Sequence, residues 1–135
     1  MKHALRAAFI LLIGMIAPAT NAQEGPIREV ISAQIEAFQT DDFTRAFTYA
    51  SPNIRRIFGT SRNFGAMVRN GYPMVWRPKD LRFLGLARRD GALWQDVMIR
   101  DGEGRVHILE YEMIEDENGW KINAVRLREP APGMA

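Results

Sequence analysis

The feature that most constrains this chain is a change of hydrophobic period at Asp80. Before it, apolar residues recur at helical spacing; after it, they alternate in twos. Ile27, Val30, Ile31, Ile35 and Phe38 mark one face of a helix over residues 26–38, with Pro26 at its first position. Gln34 lies on the same stripe, as a cavity wall or an exposed edge. Phe43, Ala46, Phe47 and Ala50 predict a short second helix over residues 41–50, with Asp41 or Asp42 accepting its first amides. Ser51-Pro52 starts another turn, made amphipathic by Ile54, Ile57 and Phe58 and stopped by Gly59. Thr60 or Ser61 caps a further helix to about residue 70, with Phe64, Met67 and Val68 on one face. Residues 72–78 contain Pro73 and Pro78 and predict an extended crossing segment.

Four strands are expected over residues 81–88, 93–100, 105–114 and 120–127, separated by turns at Asp90-Gly91, residues 101–104 and residues 116–119. Strands so joined form an antiparallel meander. Helices first and strands second is an α+β arrangement, with the helices covering one face of the sheet. In the third strand, His107, Leu109, Tyr111 and Met113 are expected on the covered face, and Glu110 and Glu112 opposite. In the fourth, Trp120, Ile122, Ala124 and Arg126 read as the more buried set. Both faces keep apolar character, which suits a homodimer.

The first 22 residues stand apart. Lys2 and Arg6 precede an apolar run of 11 residues, from Ala7 to Ala17, and Thr20 and Ala22 supply small residues at −3 and −1. This is the pattern of a secretory signal cleaved near Ala22-Gln23. The run is shorter than the roughly 20 residues of a membrane span, so no stable span is expected in the mature form. The expected organisation is a signal peptide over residues 1–22, one domain over 23–129 and a flexible tail over 130–135, in the periplasm or secreted. The chain has no cysteine, so no disulfide and no thiolate chemistry enters.

The whole chain has 18 basic and 16 acidic side chains, and without Lys2 and Arg6 the balance is zero. The charge is polarised, however. Residues 45–89 carry ten basic side chains against Asp80 alone, while residues 90–129 are net −5 and residues 23–44 net −4. The basic middle can face an anionic ligand, a lipid headgroup or an acidic partner, or pair with the acidic sheet. Arg55-Arg56 and Arg88-Arg89 are the doublets that form a candidate anion-binding surface. Neutral net charge and the lack of interleaved aromatic and basic residues argue against nucleic acid.

Several strings resemble a bacterial family of exported proteins, the DUF4864 type. They are residues 34–38, Phe47-Thr48-Tyr49-Ala50-Ser51-Pro52, Phe58-Gly59-Thr60-Ser61 with Phe64, Tyr72-Pro73 with Trp76 and Pro78, and Gly119-Trp120-Lys121-Ile122. The order of elements also resembles the NTF2-like superfamily. That resemblance implies a cone, in which a curved antiparallel sheet wraps the helices, often around a pocket. Members of such folds include isomerases, dehydratases, ligand-binding proteins and dimerisation modules, so fold alone does not assign function.

Isomerase-like members use a cavity carboxylate as base, opposite a hydroxyl donor. On that reading the carboxylate is Asp96, Glu110 or Glu112, and the donor Tyr49, Tyr72 or Tyr111. Alternation separates Glu110 and Glu112 from Tyr111, which favours an outward strand face for both. His107 is the only histidine after the leader, so a metal site lacks partners and none is expected. Asp101-Gly102-Glu103 reads as a hairpin rather than a calcium loop. No cofactor motif is present. The candidate pocket residues are Tyr72, Trp76, Trp94, His107 and Tyr111, with the stiff aromatic segment at Tyr72 and Trp76 as a lip. The leading expectation is a non-catalytic module that binds a small apolar or anionic ligand or a protein partner. An isomerase- or hydrolase-like enzyme and a purely structural dimer are the alternatives.

Overall fold

A computed structural model describes residues 21–128. The expected signal sequence lies outside the described residues except at its last positions, and the expected tail lies wholly outside them.

The first helix, α1 (Asn21–Gln39), extends N-terminal to Pro26 and buries Ile27, Ile31, Ile35 and Phe38. Its end is a left-handed cap. Asp41 N–H bonds Phe38 O at 3.0 Å and Asp42 N–H bonds Ala37 O at 2.8 Å, with Asp41 at φ 54°. These two bonds satisfy carbonyls that the helix leaves orphaned. Asp42 then caps α2 (Phe43–Thr48) by accepting Arg45 N–H. Ser51 caps α3 (Pro52–Phe58), which stops at Gly59 with φ 76°. Thr60 caps α4 (Ser61–Gly71).

The segment after α4 corrects the extended reading. Pro73–Trp76 forms one helical turn, α5, with Pro73 in its first turn. A proline there loses no hydrogen bond and has its φ preset for helix, so it starts this turn rather than preventing it.

Strands β1 (Asp80–Arg89), β2 (Ala92–Arg100), β3 (Val106–Asp116) and β4 (Gly119–Arg128) pair antiparallel in chain order. The α+β meander is as expected, but the NTF2-like cone is not. β1 and β4 remain two separate edges, and the sheet is open rather than curled around the helices. An open four-stranded sheet covered on one side by the described helices makes a two-layer domain.

Two register shifts decide which side chains face the helices. The first, between Phe83 and Leu86, is held by the buried Gln95, whose Nε2 donates to Leu84 O and Gly85 O. The second lies opposite Glu112 and Met113, whose partners are Ala124 and Ile122, so Asn123 is the extra residue. Simple alternation therefore fails in β4. Ile122 packs in the core, while Arg126 is exposed and lies over Trp94. In β3 the expected alternation holds, with Leu109, Tyr111 and Met113 buried.

The core lies between the layers. Ile27, Ile31 and Phe38 meet Val97, Ile99, Leu109 and Tyr111 there. Each fully buried side chain of this size contributes roughly 1.5–3 kcal/mol. The loop between α2 and α3 is stitched directly to β4: Ser51 N–H bonds Ile122 O and Ile122 N–H bonds Tyr49 O. These bonds set α3 against the sheet and place its apolar face over the core.

Candidate functional site

Four aromatic rings bring the helices together. Phe64 of α4 packs against Phe38, Phe47 and Phe58, with ring centroids 5.8, 5.3 and 5.7 Å away. Such pairs add about 0.5–1.5 kcal/mol beyond their buried area. They do not fill the space completely. A cavity of about 270 Å³ remains between the helices and the C-terminal half of the sheet. Phe38, Ala50, Phe64, Val68, Val75 and Ile122 form its buried apolar wall. Ile54 and Phe58 of α3, Met67 of α4, Tyr72, Ala124 and Val125 are half-buried lining residues and form its mouth.

Three polar side chains interrupt this lining: Gln34, Tyr72 and Tyr111. Gln34 is buried and its Nε2 donates to Ala46 O at 3.1 Å, which ties α1 to α2. The Tyr72 hydroxyl donates to Val125 O at 3.3 Å. Tyr111 is 0% exposed, and its hydroxyl has no hydrogen-bond partner among the described residues. Burial, with a smaller contribution from Tyr72, raises its pKa well above the usual phenol value. It is therefore a neutral O–H at any physiological pH. A buried hydroxyl without a partner costs roughly 1–3 kcal/mol.

Of the five sequence-predicted pocket residues, the structure brings Tyr72 and Tyr111 together in this cavity. The other three lie elsewhere. Trp76 donates its Nε1–H to Asp41 Oδ1 at 2.9 Å and is covered by the Arg77 guanidinium. Trp94 lies on the opposite side of the sheet, with the Arg126 guanidinium 3.8 Å from its ring centroid. His107 Nε2 is 2.9 Å from Asp101 Oδ2, and this bond, before other contributions, holds the Asp101 carboxyl below its usual value.

The candidate carboxylates are outside the cavity. Asp96 and Glu110 lie on the helix-free face of the sheet. Arg89 bonds both, at 3.0 and 2.9 Å, and Arg128 bonds both, at 2.6 and 3.3 Å. Glu112 accepts from Asn123 Nδ2, and Asn123 in turn accepts from the buried Ser51 hydroxyl. None of the three lines the cavity, so the tyrosines there have no described carboxylate opposite them.

The basic doublets are also divided. Arg89 is committed to the acid pair on the sheet, and Arg88 neighbours it at the end of β1. Arg55 and Arg56 stand exposed on α3, beside the cavity mouth, and no described acid pairs with either. The two pairs therefore do not form one anion-binding surface.

Sequence reasoning missed most of the lining, because Ile54, Phe58, Met67 and Val75 carry the same signal as core. Gln34 was the available cue, since a polar residue inside an apolar stripe marks a wall that is not fully packed. Among the described residues no group of three or more potential metal ligands occurs. No described helix is long and apolar enough to cross a membrane.

The fold and site define a small two-layer α+β domain with an apolar cavity and no cysteine. The chain belongs to the DUF4864 family, a domain of unknown function, whose family model matches residues 20–135. No curated protein and no solved structure matches the chain.

Proposed function

We propose that this protein is an exported, non-catalytic binding module that takes a small, largely apolar molecule carrying a hydrogen-bond acceptor. The carrying observation is the Tyr111 hydroxyl, buried without a partner among the residues that line the cavity. A ligand carbonyl or ether oxygen that accepts from it removes the cost of leaving it unpaired. Apolar walls supply the affinity and a few polar groups the orientation, as in small-molecule sites generally. A cavity of about 270 Å³ fits a molecule of one or two fused rings or a short acyl chain.

Two observations support the non-catalytic part of the reading. Among the described residues, the lining holds no carboxylate, histidine or lysine to move a proton at neutral pH. Tyr111, held neutral by its burial, is a donor rather than a base.

Export is supported by the geometry of α1. Pro26 lies inside α1, with Asn21 and Ala22 already helical before it, a position where proline removes a hydrogen bond and crowds the preceding turn. A helix beginning at Gln23 makes Pro26 its fourth residue, where the backbone amide has no intrahelical acceptor. Cleavage between Ala22 and Gln23 thus removes the carbonyl of Ala22, for which Pro26 has no N–H to offer.

The test is native mass spectrometry of the protein recovered after export, with its N-terminus sequenced. A chain beginning at Gln23 that carries a small apolar ligand is the expected result. A ligand-free protein that also fails to take up an added apolar ketone contradicts the binding reading.

A further inference from the structure

Helix α3 changes character within a single turn. Ile54 and Phe58 line the cavity mouth, while Arg55, Arg56 and Ile57 between them are exposed. Ile57 is 64% exposed, the highest exposure of any large apolar residue described. α4, which packs on α3, adds Arg62 in its first turn, while Arg69 at its other end lies over the Phe43 ring. None of Arg55, Arg56 and Arg62 makes an ion pair with a described residue. No acid occurs anywhere from Phe43 to Lys79. By contrast, Arg77 is held by Asp41, and Arg89 by Asp96 and Glu110.

From this arrangement we infer that the α3–α4 face docks on an anionic lipid bilayer, with Ile57 entering the headgroup region and the cavity mouth turned toward the membrane. The inference rests on the cavity reading for this orientation. Charge complementarity carries the choice of partner. Unpaired guanidiniums around an exposed isoleucine match a surface that is anionic outside and apolar just beneath. The later part of the chain is net −5 over residues 90–129, which repels an anionic surface and favours approach by the α3–α4 face. An acyl chain or other membrane-borne apolar molecule then has a short path past Phe58 and Met67 into the cavity.

The experiment is sedimentation of the purified protein with phosphatidylglycerol-containing vesicles and with vesicles of phosphatidylcholine alone. The protein is expected to sediment with the first and to be released by added salt. Arg55→Gln with Arg56→Gln is expected to weaken that binding roughly thirtyfold, from the usual worth of two cations near an anionic surface. Ile57→Asp is expected to weaken it as well. Equal sedimentation with both vesicles, sedimentation with neither, or no response to the arginine variants overturns the inference. Titration with a neutral apolar ketone in the absence of vesicles separates the two readings. If the ketone binds while anionic vesicles do not, the docking surface is wrong and the cavity stands. If the vesicles bind while the ketone does not, the cavity is wrong and the docking surface stands.

Discussion

The Tyr72 hydroxyl donates to the Val125 carbonyl at 3.3 Å, joining the C-terminal end of α4 to β4 at the cavity mouth. Tyr72 is also the C-cap of α4 and leads directly into α5. Replacing it with phenylalanine keeps the ring and removes the bond. Tyr72→Phe is expected to cost about 1 kcal/mol, the usual net worth of such a bond. Thermal unfolding checks this, with a drop of a few degrees in Tm.

Gly65 makes a different kind of contact. It is buried in α4, and a Cβ built there comes within 2.6 Å of the Phe43 ring. Helix propensity alone favours alanine by about 1 kcal/mol. Overpacking costs roughly 1–3 kcal/mol and is expected to win, so Gly65→Ala destabilises the protein. In a Phe43→Ala background the clash is gone, and the same change is expected to stabilise. Denaturant unfolding of the four proteins of this cycle checks both signs.

Asp41 ties the end of α1 to α5 and the residue after it. It accepts from Trp76 Nε1 and from Arg77, whose other guanidinium nitrogen donates to Phe38 O at 2.7 Å. The Trp76 bond, followed by the Arg77 bond, lowers the Asp41 pKa below 3.8. A carboxylate whose pKa is depressed on folding stabilises above its unfolded value and loses that contribution as pH falls through the folded value. Asn tolerates the left-handed backbone at this position but carries no charge. Asp41→Asn is therefore expected to be less stable than the wild type at neutral pH, with the gap closing as the solution is acidified below the carboxylate range. Denaturant midpoints measured along that pH series check it. A gap that widens on acidification contradicts the assignment.

The period change at Asp80 carried the element order, and Leu109, Tyr111 and Met113 were readable as one buried face because β3 alternates without interruption. β4 was not readable in this way. Asn123 is an extra residue in its ladder, and nothing local marks an asparagine as bulged. Pro73 reads as a breaker by type, but a proline in the first turn of a helix is a start. The cone expectation rested on resemblance. Whether a sheet curls depends on long-range packing that no short string encodes, and here the edges stay apart. For the site, Tyr72 and Tyr111 were within reach because tyrosines are conspicuous. Trp76, Trp94 and His107 were conspicuous too, yet Asp41, Arg126 and Asp101 hold them elsewhere. The partners of those three are separated from them by chain distances or faces that period alone does not resolve.

On the proposed function, the Tyr111 hydroxyl is retained for a ligand and not for the fold. The direct measurement is the affinity of wild type and Tyr111→Phe for 6-propionyl-2-dimethylaminonaphthalene, a neutral aromatic ketone whose emission reports its surroundings, together with the unfolding stability of both free proteins. Phenylalanine removes a buried hydroxyl that has no partner. The free variant is therefore expected to be as stable as the wild type or more so, by up to about 1–3 kcal/mol. Its ketone affinity is expected to be lower by about tenfold, with the one-to-one, blue-shifted binding of the wild type preserved in form. A variant that loses stability while binding the ketone as tightly as the wild type would show the hydroxyl serving the fold, and would contradict the account.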